Sequence, residues 1–147
     1  MNKNITAIVF ARNEERRLPY VIDNLKGFCN IIVFDGGSTD GTLDYCKKNN
    51  IKYLMRPDLD ENLLGIKAYR WALRKVTTEY VLHVICSHFY PYELLSRFSK
   101  IANENKLNAV WHNVLVYRYG RVVHRPLVRK ISSGCNFYKK SIINFKD

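Results

Sequence analysis

The sequence lacks the features of fibrous, secreted and membrane-spanning proteins. Seven glycines and four prolines among 147 residues are too few for a collagen-like or low-complexity chain. Apolar runs such as residues 31–34 are far shorter than the roughly 20 residues that cross a bilayer, and the N-terminus has no long apolar signal segment. Because 47% of the residues are hydrophobic and 25% are charged, we expect one globular, cytoplasmic domain spanning residues 1–147.

Cysteine is also scarce, and its spacing argues against a structural zinc site. The sequence has four cysteines, with no Cys-x-x-Cys pair and no His-x-x-x-His partner. They are Cys29, Cys46, Cys86 and Cys135. We interpret them as buried free thiols in a reducing compartment, and we predict no metal site from them.

Acidic residues are nearly missing from the C-terminal third. Residues 96–147 hold 11 basic and 2 acidic side chains, whereas residues 1–95 hold 13 and 11. No acid lies between Glu104 and Asp147, although the whole chain has a net charge of +11. This imbalance favours an anionic partner, such as a nucleotide diphosphate, a phosphorylated glycan, an anionic membrane face or a nucleic acid. The alternative is a solvated basic surface.

Short apolar strands alternate with amphipathic helices along most of the chain. The predicted strands are residues 5–10, 31–34, 51–55 and 80–85, and the predicted helices begin near residues 14, 39, 63 and 91. From residue 109 the pattern changes to short valine-rich segments around a turn at Gly120. The order predicts an α/β fold with a mostly parallel sheet, helices on both faces and antiparallel strands near the C-terminus.

Three polar clusters follow predicted strands at the point where each strand ends. They are Ala11-Arg12-Asn13-Glu14, Asp35-Gly36-Gly37-Ser38 and Cys86-Ser87-His88. The carboxyl ends of parallel strands meet at one edge of a sheet, and ligands bind beyond that edge in open α/β sheets. The sequence therefore predicts a binding site formed by the three clusters together.

The same segments, taken in order, resemble a known family. The motifs are Ala-Arg-Asn-Glu-Glu (11–15), Ile-Ile-Val-Phe-Asp-Gly-Gly-Ser-Thr-Asp-Gly-Thr (31–42) and Lys-Ala-Tyr-Arg-Trp-Ala-Leu (67–73). They resemble the family-2 glycosyltransferases of GT-A fold, especially the lipopolysaccharide-core glucosyltransferase-like branch. The resemblance covers roughly residues 5–95.

The resemblance implies a transferase that moves a sugar from a nucleotide-sugar donor, usually a UDP-sugar, to a glycan or lipid-linked acceptor with inversion. By match to the family, the base and ribose lie beside Ala11, Arg12, Asn13, Glu14 and Asp35. Gly36 and Gly37 allow the backbone to approach the ligand. An alternative for Asp35 is a carboxylate that caps the turn. For Ser38, Thr39 and Asp40 we expect capping of the following helix instead of ligand contact.

The family's Asp-x-Asp metal motif is missing. Its positions hold Ile85-Cys86-Ser87, followed by His88, and these are poor ligands for the Mg²⁺ or Mn²⁺ that the family usually binds. We therefore expect metal-independent donor binding through Ser87 and His88, with positive charge from Lys67, Arg70, His88 or the segment 118–140. Alternatively, His88 is a polar loop residue, and Lys67 and Arg70 are solvated.

A general base is not identifiable either. Asp58, Asp60 and Glu61 lie in a predicted loop near the site, and nothing in the sequence prefers one of them. Either the chain is a shortened form, or a partner supplies the base, or the protein does not catalyse.

Two rival functions stay open: a non-catalytic module that binds a nucleotide-sugar or glycan, and, less favoured, nucleic-acid binding through the basic, tyrosine-bearing stretch 117–121. Attachment to an anionic membrane face is compatible with the transferase.

Overall fold

The structure is a computed structural model that describes residues 2–57, 66–105, 109–110, 116–118, 121–123 and 137–140. The strands in this part of the chain are β1 (Asn2–Ala11), β2 (Cys29–Asp35), β3 (Tyr53–Met55), β4 (Tyr80–Ile85), β5 (Ala109–Val110), β6 (Val116–Arg118), β7 (Arg121–Val123) and β8 (Phe137–Lys139). The helices are α1 (Leu18–Leu25), α2 (Thr42–Lys48), α3 (Ile66–Arg74) and α4 (Tyr92–Glu104). None of these four helices is long and apolar enough to cross a membrane.

Six strands form the main sheet in the order β3-β2-β1-β4-β8-β5. The first four are parallel to their neighbours, and β8 runs antiparallel to both β4 and β5. The predicted mostly parallel sheet with antiparallel C-terminal strands is confirmed. One detail differs, because β6 and β7 pair with each other in a separate two-stranded sheet. The predicted turn at Gly120 lies outside the described residues.

Helices cover both faces of the main sheet, as predicted. The alternation of side chains along β1 divides the core, since Val9 packs in the cluster with α1, α2 and α4 while Ile8 packs in the cluster with α3. Every residue of β1 from Ile5 to Ala11 is buried, as expected for a central strand covered on both faces. Each large aliphatic side chain buried in this way contributes about 1.5–3 kcal/mol to stability.

Two helices begin later than the sequence pattern predicts. The chain turns through residues 14–17 before α1 starts at Leu18, and Pro19 occupies its first turn. Helix α2 starts at Thr42 without a cap from Ser38 or Thr39, so the capping prediction was wrong for these two residues. The third predicted residue, Asp40, accepts the Thr42 N–H of the first helical turn at 3.0 Å.

Three of the four cysteines are buried free thiols, as predicted, and Cys135 lies outside the described residues. Burial raises the pKa of Cys29 and of Cys86 to about 12 and that of Cys46 to about 11. Since the thiolate is the reactive form, these cysteines are unreactive packing residues at neutral pH.

Candidate functional site

The carboxyl ends of β1, β2 and β4 meet at one edge of the sheet, which we call the rim. The Gly36 N–H donates to the Ala11 carbonyl at 2.8 Å and joins the first two strand ends. The Cys86 thiol donates to the Phe10 carbonyl at 3.6 Å and joins the β4 end to β1. The sequence prediction that the three polar clusters lie together is therefore confirmed.

Asp35 is fully buried and organises the turn after β2. Its Oδ1 accepts the N–H groups of Gly37 and Ser38, both at 2.8 Å, and its Oδ2 accepts the Ser38 hydroxyl. Its carbonyl accepts the Arg56 N–H at 2.7 Å. The carboxylate thus has the turn-capping role considered in the sequence analysis. The contact of Asp35 with the base and ribose, which the family resemblance implies, remains a prediction.

The loop after β1 and the loop after β2 are joined by four hydrogen bonds that we call the loop clamp. Three backbone N–H groups of the first loop donate to side chains of the second loop or of the first residue of α2: Asn13 to Ser38 Oγ at 2.9 Å, Glu14 to Thr42 Oγ1 at 2.8 Å and Glu15 to Asp40 Oδ2 at 3.1 Å. In return, the Thr39 N–H donates to Asn13 Oδ1 at 2.8 Å. The two loops therefore form one preorganised wall of the rim.

Local backbone geometry and charge support this arrangement. Asn13 and Gly37 adopt positive φ angles of 56° and 86°, a region that asparagine tolerates and that glycine enters freely. Burial opposes ionisation of Asp40, but the hydrogen bonds from Thr42 and from the Glu15 N–H outweigh it and lower the pKa of Asp40. The clamp carboxylate is consequently ionised throughout the neutral pH range.

Thr42 offers a direct test of the clamp because its buried hydroxyl accepts from Glu14 and donates to Asp40. Thr42→Val keeps the shape and leaves the Glu14 N–H without its acceptor, so we expect a loss of about 1–2 kcal/mol in the free energy of unfolding. Urea denaturation measures this loss. Thr39→Val is the matched control, because its exposed hydroxyl makes only a 3.4 Å contact with Asn13. Equal losses in the two variants would contradict the clamp.

The first loop also carries positive charge at the rim. Arg12 and Arg16 are exposed, and neither forms an ion pair with any residue that the structure describes. Arg17 pairs with Glu14 through Nε and Oε2 at 2.7 Å and through Nη2 and Oε1 at 3.1 Å. Because its carboxylate is paired with an arginine, Glu14 is suited to positioning the loop.

The loop after β4 contains no carboxylate. Ser87 is exposed, His88 is half-buried, and the His88 N–H closes a turn on the Ile85 carbonyl at 2.9 Å. The His88 ring contacts the edge of Tyr90 with centroids 6.2 Å apart. In the described part of the chain, no three histidine, cysteine or acidic residues cluster as metal ligands. The residues present at this strand end do not fit Mg²⁺ or Mn²⁺.

Lys67 and Arg70 lie in the first two turns of α3, with Lys67 exposed and Arg70 half-buried. This helix follows β3, which ends at the rim, so its N-terminal turns start on the rim side of the sheet. Between them, Tyr69 packs against His83 and Phe10 with ring centroids 5.1 and 6.3 Å apart. The position agrees with the predicted role of the two cations, which itself remains a prediction.

Other predicted residues lie elsewhere. Lys139 pairs with Glu79 at 2.8 Å and Lys140 donates to the Val76 carbonyl. In the antiparallel pairing of β8 with β4, Lys139 lies opposite Tyr80 at the start of β4. Both lysines therefore lie at the end of the sheet opposite the rim. The expectation that they supply charge to the donor was wrong for these two. The remaining predicted groups lie outside the described residues: Asp58, Asp60, Glu61 and the side chains of the basic stretch 118–130.

Two residues at the rim escaped the sequence analysis. Thr42 links both loops, and its only sequence signal is its place after the Asp40-Gly41 turn. Arg56 follows β3 and is tied by its N–H to Asp35, so it brings a further cation to the same edge. The signal for Arg56 was its position at the end of a third parallel strand.

Comparisons with known proteins agree with this geometry. Residues 6–146 match the family model described as Glycosyl transferase family 2. A crystal structure of S. aureus TarS is similar, with a TM-score of 0.71 and 21% identity over 95% of this chain and 29% of that chain. The structure of S. aureus TarS 1-349 in complex with UDP-GlcNAc has a TM-score of 0.71 and 19% identity over 95% of this chain and 46% of that one.

A third similar structure is more distant. Glucosyl-3-phosphoglycerate synthase from Mycobacterium tuberculosis, in complex with Mn²⁺, UDP-glucose and phosphoglyceric acid, has a TM-score of 0.53 and 22% identity over 65% of this chain and 37% of that chain. At these identities the likeness shows the fold, and it confirms the predicted GT-A-like architecture. The chain spans less than half of each of these three proteins. A comparison with curated proteins found no match.

Proposed function

The chain belongs to glycosyl transferase family 2, and from that premise we propose that it transfers a sugar from a UDP-sugar to a glycan or lipid-linked acceptor with inversion. We further propose that residues 1–147 act as one catalytic domain of the lipopolysaccharide-core glucosyltransferase-like branch. The observation that carries the proposal is the rim, where the ends of β1 and β2 are locked together by the loop clamp. Such a preorganised wall lowers the cost of ordering the protein around a ligand.

The residues around the clamp suit a nucleotide. Arg12 is exposed beside the Asp35 turn, Asn13 and Glu14 are held there by the loop clamp, and Gly36 and Gly37 add no side chain that would keep a ligand away. Alongside them, Ala11 ends β1 and places its carbonyl in the bond to Gly36. The structure of TarS 1-349 with UDP-GlcNAc, which shares this fold, supports a uridine nucleotide as the donor.

Positive charge stabilises the departing diphosphate in this proposal. The Asp-x-Asp positions hold no carboxylate, so protein cations take that role. Arg12, Lys67 and Arg70 are the candidates on the rim side of the sheet, with Ser87 and His88 as hydrogen-bonding groups at the β4 end. An acceptor held on a lipid would bring the chain to an anionic membrane face, where its net charge of +11 is favourable.

Donor binding without a metal is directly testable. Calorimetric titration with UDP and UDP-glucose is expected to give the same dissociation constant in Mn²⁺ and in EDTA, because no described group of residues forms a divalent cation site. Asp44→Ala, on an exposed face of α2, serves as a control with unchanged affinity. Binding that occurs only with Mn²⁺ would contradict the proposal.

A non-catalytic binding module is the second candidate. It is favoured by the state of Glu14, Asp35 and Asp40, since these carboxylates are already engaged by hydrogen bonds or an ion pair within the rim. A transfer assay with a panel of UDP-sugars separates the two functions. Turnover above the level of a heat-denatured sample supports the transferase, and UDP binding without turnover supports the module.

A further inference from the structure

Three exposed aromatic side chains surround one hollow on the α1 and α4 side of the sheet. Among the described residues, four large hydrophobic side chains are more than half exposed, and three of them line this hollow: Tyr20 at 74%, Phe89 at 73% and Tyr92 at 76%. The fourth is Met55 on β3. Clustering of exposed aromatic groups is typical of a binding surface, whereas isolated ones need no explanation.

The hollow has the size of a small-ligand site. Its volume is about 490 Å³, within the roughly 300–1,000 Å³ range of ligand pockets. We call it the aromatic hollow and define it by its lining residues, which are Tyr20, Asp23, Asn24, Phe89, Tyr92 and Leu95. It is open to solvent on one side, so a ring within a longer chain could enter without being enclosed.

Hydrogen bonds hold the loop on one side of the aromatic hollow in place. Asn24 on α1 donates from Nδ2 to the Tyr90 carbonyl at 2.9 Å and accepts the Tyr90 N–H at 2.8 Å. This reciprocal pair ties α1 to the loop that carries Phe89. The buried side chain of Leu95 on α4 lies at the base. A ligand would therefore not have to order the loop that carries Phe89.

The charge of the lining restricts the chemistry of the ligand. Asp23 is exposed, and its carboxylate accepts no hydrogen bond from any other residue the structure describes. Among the residues that the structure describes, no lysine, arginine or histidine lines the hollow, although the chain has 24 lysines and arginines. A phosphate or carboxylate would be repelled by Asp23. A ligand with apolar C–H faces for the rings and hydroxyl donors for the carboxylate fits, and an uncharged sugar has both.

Two other occupants fit less well. A second copy of the chain would bring two net charges of +11 together, which opposes association, and the six lining residues are few beside the roughly 20–30 residues per side of a stable interface. A quaternary ammonium needs aromatic rings within about 6 Å of one cation. No ring contact joins Tyr20, Phe89 and Tyr92, and choline binding is therefore one of the outcomes that the experiment below tests.

We propose that the aromatic hollow binds an uncharged sugar ring of the glycan acceptor. Phe89 directly follows His88, so the hollow adjoins the β4 end of the rim and lies beside the region assigned to the donor. The role as an acceptor site rests on the proposed function, whereas sugar binding itself does not. In this proposal the reacting hydroxyl belongs to another part of the glycan, outside the aromatic hollow.

Titration of the 147-residue protein with uncharged tetrasaccharides of glucose and of N-acetylglucosamine tests the proposal by calorimetry and saturation-transfer NMR. We expect saturable binding of at least one of them. Tyr20→Ala and Tyr92→Ala are each expected to weaken it by about tenfold, and Asp23→Asn by about threefold. Since both tyrosines are exposed, these variants fold normally. Met55→Ala is the matched control and leaves the affinity unchanged.

Several results would overturn the proposal: no saturable binding of either tetrasaccharide, equal binding in the tyrosine variants, saturable choline binding in place of sugar binding, or a dimer in sedimentation velocity that Tyr20→Ala dissociates. A parallel titration with UDP keeps the two proposals apart. If UDP does not bind but the tetrasaccharide does, the donor proposal fails and the sugar site stands. If UDP binds and no sugar does, only the aromatic hollow is rejected.

Discussion

Asp35→Ala is expected to abolish measurable UDP binding and to lower the free energy of unfolding by about 3 kcal/mol. The buried carboxylate accepts two backbone N–H groups and one hydroxyl in the turn after β2. Without it these donors lose their partners, and the turn that holds Gly37 at positive φ is no longer specified. Urea denaturation measures the loss of stability, and calorimetric titration with UDP measures the loss of binding.

Two further variants distinguish the effect of losing the hydrogen bonds of the Asp35 turn from the effect of losing a negative charge. Asp35→Asn keeps an acceptor for the N–H groups of Gly37 and Ser38 and removes the negative charge, so we expect a smaller loss of stability and a partial loss of UDP affinity. Asp44→Ala removes a carboxylate whose side chain is 81% exposed and is expected to change stability by less than about 0.5 kcal/mol. Unchanged UDP affinity in Asp35→Ala would remove the rim from the donor site.

His83 is expected to make the protein less stable as the pH falls from about 6.5 to 4. Burial, with a smaller contribution from His88, lowers the pKa of His83 from 6.5 to about 4. Its Nε2 is buried without a hydrogen-bond partner among the described residues, and its ring packs edge-on against Phe10 and Tyr69. The folded state therefore holds the neutral ring and resists its protonation.

The protein loses stability on acidification because the unfolded chain takes up a proton that the folded chain does not bind. Above pH 6.5 His83 is neutral in both states and has no effect. Between pH 6.5 and 4 the unfolded chain binds the proton and the folded chain does not, so the unfolded state gains up to about 3 kcal/mol. Urea denaturation at a series of pH values measures this loss of stability.

Variants of the two neighbouring histidines identify the source of the effect. His83→Phe, which keeps a ring between Phe10 and Tyr69, is expected to flatten the curve between pH 6.5 and 4. His88→Gln should retain most of the slope, because burial is the larger cause of the shift. A His83→Phe curve parallel to that of the unaltered protein would show that His83 is not the responsible group.

Local sequence patterns were sufficient for the strands that form the centre of the sheet. The predicted segment 80–85 coincides with β4, and 5–10 and 31–34 lie within β1 and β2. Strands buried on both faces need continuous apolar residues, and that requirement is readable in the sequence. The rim prediction followed from the same strands, since parallel order places their carboxyl ends on one edge.

Contacts between distant segments could not be predicted from local sequence patterns. β8 escaped prediction because its three residues have no alternating pattern of their own. It is held instead by Phe137, whose ring stacks on Tyr80 and Phe98 at centroid distances of 5.5 and 4.4 Å. The start of α2 was misplaced for a related reason, because Ser38 bonds to Asp35 and to the loop after β1 and is not free to cap a helix.

The amino-acid sequence by itself determined the α/β architecture and the gathering of three polar loops at one edge. These properties depend on residue type and period within short segments. Only the tertiary structure decided that Asp35 is buried in its own turn, that Lys139 lies at the far end of the sheet, and that Tyr20 and Tyr92 share one hollow. Such facts depend on which distant side chains meet, and hydrogen bonding and packing across elements settle that only when the chain has folded.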